Sequence, residues 1–205
     1  MKLIQKHKTK ITIKNENITE NKNVNYLGLI LDKHLKFKEH VEYVSKKLSK
    51  TLFLIRRLSK FCPREILLNV YFSLFVSNLK YAIPIWGRAS NFNTIFILQK
   101  AAIRTIFKLK PQESCREIFK NHKLLTAPCI YIFETIKFAI ENPYYFKFES
   151  ETPKKYNTRP NNLIKNIYHN KTFYENHIIF SATQLTNKLP KKIKFEKTPQ
   201  HFKNY

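Results

Sequence analysis

The sequence has one aspartate, Asp32, and two glycines, Gly28 and Gly87, in 205 residues. Each scarcity removes a class of chemistry. Two-metal phosphoryl transfer needs clustered carboxylates, because each hard cation takes several oxygen ligands and the pair must be bridged. A single aspartate and scattered glutamates supply no such cluster. Phosphate-cradling loops need several positions where the backbone approaches its ligand closely, and two isolated glycines cannot build one. No G-x-S-x-G elbow occurs. His7, His34, His40, His122, His169, His177 and His201 are dispersed, without metal-ligand spacing, so no cofactor is implied. Cys62, Cys115 and Cys129 are odd in number and form no C-x-x-C pair, which suits reduced thiols in an intracellular chain, cytoplasmic or nuclear.

Long apolar runs are also missing. Met1 to Lys14 is basic, without an apolar stretch of signal-peptide length. The most apolar segment, Ile66 to Trp86, is interrupted by Asn69, Asn78, Lys80 and Pro84, which fits a buried helix and not a membrane span.

What the chain does have is positive charge. Lys and Arg number 38 against 14 Asp and Glu, a formal +24. An A/T-rich coding sequence raises Lys, Asn and Ile without selection for binding, and accounts for part of this. The remainder is best tolerated beside a polyanion, nucleic acid first and an anionic membrane surface second. The apolar fraction, 43%, with 17 Phe and 11 Tyr, is enough for a core.

Periodicity places the elements. Lys10–Lys14 alternates as a short strand, and Val24–Leu31 is apolar and β-prone, so the two together read as a hairpin with Gly28 inside its second strand. From Phe37 to Phe61 the period is helical, with Val41, Val44, Leu48, Leu52, Ile55 and Leu58 on one stripe. Pro63 opens a second helix through Ile66, Leu67, Val70, Leu74 and Phe75. A third spans Asn93 to Leu109 on Ile95, Leu98, Ala102, Ile106 and Leu109. A fourth is short, Glu113–Asn121, and a fifth, Pro128–Glu141, carries Ile132, Ile136, Phe138 and Ile140 until Pro143 stops it. The expected fold is mainly α: a β-hairpin over residues 1–32, a helical bundle over 33–145, and a basic, Pro/Asn-rich tail of turns and short elements over 146–205.

Between Lys33 and Lys110, sixteen Lys and Arg stand against three Glu. At 100° per residue, Lys46, Lys50, Arg57 and Lys60 share a narrow arc opposite the apolar stripe, with Arg56 beside it. A rigid cationic helix face of this kind can track a phosphate backbone. Tyr71, Tyr81 and Trp86 read as packing residues in preference to base-stacking platforms.

The order of segments resembles the end of non-LTR retrotransposon reverse transcriptases, jockey-like elements above all. Lys8-Thr9 is similar to the "KT" that closes a palm motif, and Asn25-Tyr26-Leu27-Gly28-Leu29-Ile30-Leu31-Asp32 resembles "YLG-x-x-x-D". His40-Val41 and Leu54-Ile55-Arg56-Arg57-Leu58 are similar to the first thumb helix. Lys80-Tyr81-Ala82 with Pro84-Ile85-Trp86 resembles "L-x-Y-A-x-P-V-W", and Leu98-Gln99-Lys100-Ala101-Ala102-Ile103-Arg104 resembles "LQ-x-x-A-x-R". Leu124-Leu125-Thr126-Ala127-Pro128 and Leu185 to Lys194, with Asn187-Lys188-Leu189-Pro190, complete the series.

The resemblance implies a thumb-like domain holding an RNA/DNA template–primer duplex. Phosphate contacts would come from Lys46, Lys50, Arg56, Arg57, Lys60, Lys100 and Arg104, and primer support from Tyr26, Leu27 and Gly28. The family's catalytic aspartates precede the "KT", so the resemblance also implies a fragment without polymerase activity of its own. The alternatives are a basic helical module for an acidic protein or membrane surface, and a remnant without function.

Overall fold

The computed structural model describes residues 11–13, 16–18, 21–146, 164–165, 172–175 and 177–190. The chain is mainly helical, as the periodicity predicts, and begins with two small antiparallel hairpins where one is expected. Strand β1 (Ile11–Ile13) pairs with β2 (Glu16–Ile18), and β3 (Asn23–Tyr26) pairs with β4 (Leu29–Asp32). The run read as one strand, Val24–Leu31, is therefore folded on itself. Leu27 and Gly28 are its two turn residues, with φ of 48° and 80°. Positive φ at both central positions makes a turn whose twist matches the flanking strands. Gly28 is thus a hairpin-turn glycine and not a strand-interior one.

Scarcity of glycine is visible elsewhere in the backbone. Leu27, Leu35, Phe37, Ala82, Lys108 and Lys123 all adopt positive φ. Two of these lie between β4 and helix α1 (Lys38–Leu58), where the lone aspartate organises the loop. One Asp32 oxygen accepts the Phe37 N–H at 2.7 Å, and the other accepts those of Lys36 at 3.0 Å and His34 at 3.3 Å.

Helix α1 buries His40, Val41, Val44, Leu48, Thr51, Leu52 and Ile55. The apolar members of that stripe contribute about 1.5–3 kcal/mol each. They face α5 (Asn93–Phe107), which runs parallel to α1. At the N-terminal ends Asn91 Nδ2 donates to Lys38 O at 3.2 Å, and at the C-terminal ends Arg56 lies beside Arg104, Thr105 and Lys108.

The segment opened by Pro63 is α2 (Arg64–Val70), a π-helical turn (Tyr71–Val76) and α3 (Ser77–Lys80). Its buried face is Leu67, Tyr71, Phe75, Val76 and Leu79, whereas Ile66 and Leu74 are exposed, contrary to the simple helical reading. An i+4 series drifts about 40° per step on an α-helix. The wider turn at Tyr71–Val76 offsets that drift and keeps Leu67, Tyr71, Phe75 and Leu79 on the core.

Short α4 (Ile83–Trp86) seats Trp86 in the core, its indole N–H donating to Tyr81 O at 2.9 Å. Helices α6 (Arg116–Asn121) and α7 (Ala127–Glu141) follow. The Thr126 hydroxyl caps α7, accepting from Cys129 N at 3.4 Å. The fully buried positions of α7 are Ala127, Ile130, Thr135 and Ala139; of the series expected there Ile132 is exposed, while Ile136, Phe138 and Ile140 are half-buried, Phe138 packing beside Ala139 and Ala182. Small residues let α9 (Ile178–Asn187), with buried Ser181, Ala182 and Thr183, approach closely. Among the short elements expected in this region are α9 and, before it, α8 (Thr172–Glu175). Asn187 grips Ile164 as a strand would, accepting its N–H and donating to its carbonyl, both at 2.9 Å. Lys8-Thr9 and residues 191–194 lie outside the described residues. No helix among the described residues is long and apolar enough to cross a membrane.

Candidate nucleic-acid interface

The outer face of α1 is built by the same periodicity that builds its core. With the apolar stripe locked against α5, Lys46, Lys50 and Arg57 project to solvent on the far side, and Lys60 extends the row from the turn beyond the helix. Among the described residues none of these four is paired with a carboxylate. Two aromatics that sequence reasoning passed over stand among them: Phe53 is 59% exposed and Phe61 85% exposed. The Arg57 guanidinium lies 5.3 Å from the Phe53 ring centroid, a cation–π contact that orients it. Helical spacing from Lys46, Lys50 and Arg57 would have placed Phe53 on this face.

The other proposed cations separate from this row. Arg56 turns toward α5 and, with Arg104 and Lys108, lines a cleft of about 360 Å³ between the C-terminal ends of α1 and α5. Lys108 was not among the residues singled out from sequence. Lys100 is half-buried and engages Phe96, its Nζ 4.7 Å from the ring centroid, so it joins neither group. Burial pushes the nearby Cys115 thiol up, with the charges of Arg104 and Lys100 acting against that shift.

The three residues implied in primer support form the tip of the β3–β4 hairpin. Tyr26 and Leu27 are exposed, and the Tyr81 hydroxyl donates to Leu27 O. A Cβ on Gly28 would stand 3.7 Å from the Tyr81 ring, an ordinary contact, so the left-handed backbone and not lack of space calls for glycine. Beneath the turn lies a groove of about 370 Å³ bounded by Leu27, Gly28, His40, Tyr43, Lys47 and Tyr81.

His40 ties that hairpin to α1. It is fully buried, accepts the Ile30 N–H on Nδ1 at 3.3 Å and meets Trp86 edge-on at 5.3 Å between centroids. Its proton is therefore on Nε2, which has no hydrogen-bond partner. Burial, and behind it the charge of Lys47, hold the imidazole below its ordinary 6.5. Partial burial raises the Asp32 carboxyl, but the N–H groups of Lys36, Phe37 and His34 outweigh it and leave the group below its usual 3.8.

Both shifts make the unfolded chain the better proton acceptor, so both remove stability as pH falls. For His40 the loss begins below about pH 6.5, and for Asp32 below about pH 4. Urea midpoints are expected to fall between about pH 7 and 5, and His40→Asn, which keeps an acceptor near Ile30, to flatten that window. A midpoint independent of pH there in the parent chain would contradict the buried neutral His40.

No family model, no curated protein and no solved structure matches the chain. Among the described residues no group of His, Cys, Asp and Glu is placed to hold a metal ion.

Proposed function

We propose that the chain holds a nucleic-acid duplex by its phosphates, as the thumb-like part of a non-LTR retrotransposon reverse transcriptase, without polymerase activity of its own. One observation carries this reading: the row Lys46, Lys50, Arg57 and Lys60 is exposed, is unpaired with carboxylates among the described residues, and stands on a helix whose opposite face is anchored in the core. Such a row meets phosphates without reading bases, so it binds without sequence preference. The only aspartate is engaged by three backbone N–H groups in a loop, which leaves it a structural role. The segments carrying the resemblance also meet in space, Tyr81 with Leu27, and Gln99 with Leu125 and Ala127.

Exposed Phe53 and Phe61 beside the cations favour a second reading, attachment to an anionic membrane surface. Fluorescence anisotropy with a labelled RNA–DNA hybrid, competed by unrelated duplexes and by phosphatidylserine vesicles, separates the two. The expected result is similar competition by every duplex and little by vesicles at equal anionic charge. Displacement by vesicles alone, or strong discrimination among random duplexes, contradicts the nucleic-acid reading.

A further inference from the structure

The cleft between the ends of α1 and α5 differs in kind from the open row on α1. Arg56, Arg104 and Lys108 converge on it from two helices, with Ala101, Thr105 and Leu109 between them and no carboxylate in its lining. Glu113 lies outside that lining, its Oε2 accepting the Lys110 N–H at 3.1 Å. Its main-chain carbonyl accepts Arg104 Nε at 2.9 Å. That bond fixes the guanidinium by its inner nitrogen and leaves its outer NH₂ groups available, the fork that matches phosphate oxygens.

Lys108 is placed there by the helix ending. Leu109 N donates to Arg104 O at 2.9 Å and Lys108 N to Thr105 O at 3.4 Å, with Lys108 at φ 55° between them. This is the six-to-one and five-to-two bonding of a Schellman ending, whose left-handed position glycine usually takes. A side chain there costs about 1 kcal/mol relative to glycine. Other residues of this glycine-poor chain also adopt positive φ, so the strain alone assigns nothing. What distinguishes Lys108 is that its strained backbone delivers a third cation to a lined cleft. The two helix C-termini oppose an anion, but with only about half a charge each against three full charges.

We infer that this cleft is a discrete seat for one phosphate group of a nucleic-acid backbone, with Arg56, Arg104 and Lys108 as its ligands. The nucleic-acid source rests on the function proposed above; the seat itself does not.

Amide spectra of the full chain titrated with inorganic phosphate, against chloride at equal ionic strength, test it. Saturable shifts are expected at Ala101, Thr105, Lys108 and Leu109, and the same amides are expected to respond to a short duplex with 5′-hydroxyl ends. Lys108→Gly is expected to raise the urea midpoint while weakening phosphate binding about tenfold, the loss of one charge-assisted hydrogen bond. Arg56→Gln is expected to weaken it similarly, and Lys22→Gln with Lys120→Gln to leave it unchanged. Shifts spread evenly over the outer face of α1, or parental phosphate binding by a stabilised Lys108→Gly chain, would overturn the seat. Phosphate binding in the cleft without any duplex binding would leave the seat and remove the nucleic-acid source. Duplex binding with a silent cleft would do the reverse.

Discussion

Replacing Lys46, Lys50, Arg57 and Lys60 together by glutamine is expected to weaken duplex binding on the order of a thousandfold at about 0.1 M salt. Each phosphate contact releases close to one counterion, and at that salt each release favours binding by somewhat under tenfold. Four contacts multiply. The same variant should lose about four units from the slope of log affinity against log salt. Fold stability should change little, because the four side chains are exposed and lack carboxylate partners among the described residues. A control with Lys22, Lys120, Lys165 and Lys188 replaced removes the same charge from other exposed positions. It is expected to lose about tenfold or less, since only long-range attraction changes. Equal losses in the two variants would mean that net charge, and not this row, does the binding.

The second large effect concerns stability. Gln99 is fully buried, and its amide is the junction of three segments. Nε2 donates to Tyr71 Oη and to Leu125 O, each at 2.9 Å, and Oε1 accepts the Ala127 N–H at 2.6 Å. Gln99→Leu keeps the volume but strands two buried polar groups, Tyr71 Oη and the Ala127 N–H, and releases the part-buried Leu125 carbonyl. An unsatisfied buried group costs about 1–3 kcal/mol, so a loss of about 3 kcal/mol or more is expected in urea unfolding. Burial already pushes the Tyr71 phenol up to about 12, the Gln99 hydrogen bond acting in the opposite direction. Tyr71→Phe in the Gln99→Leu background should recover part of the loss, since it removes one stranded group. No recovery, or a Gln99→Leu chain as stable as the parent, would show that the amide is not a structural tie.

Gln99 also marks the limit of what the sequence discloses. On a helical wheel it is a polar residue beside the apolar stripe of α5, and the partners that justify its burial are 26 and 28 residues away. Helix α1 was legible because Val41, Val44, Leu48, Leu52 and Ile55 repeat at three and four, and nothing in its packing departs from that period. The segment from Arg64 to Lys80 was legible as a helix but not in its phase, because the π-helical turn changes which residues face inward. Strand pairing was read wrongly for a related reason. Alternation marks a strand but does not name its partner, and the Leu27–Gly28 turn splits a run that looks continuous. On α7 the eye follows Ile and Phe, while the fully buried positions at the seam against α9 are Ala139 and Ala182, which allow close approach, with Phe138 packed beside them.

The basic row followed directly from the α1 wheel, so most of the candidate interface was readable. The α1–α5 cleft was not. Arg56 and Arg104 carry no sign that two parallel helices end side by side, and Lys108 enters it through a backbone conformation that only the fold displays. Several of the motifs that drew the comparison with reverse transcriptases turn out to hold joints: Gly28 a turn, Asp32 a loop, Gln99 a tie, Asn187 a clamp.

The most direct test of a phosphate-tracking surface is the affinity of the intact chain for a random-sequence RNA–DNA hybrid as salt is varied. With about six phosphate contacts, affinity is expected to fall about a thousandfold between 50 and 200 mM salt, along a straight line in log affinity against log salt. Affinity that holds across that range would contradict the account, since cations meeting a phosphate backbone cannot ignore the ions they displace.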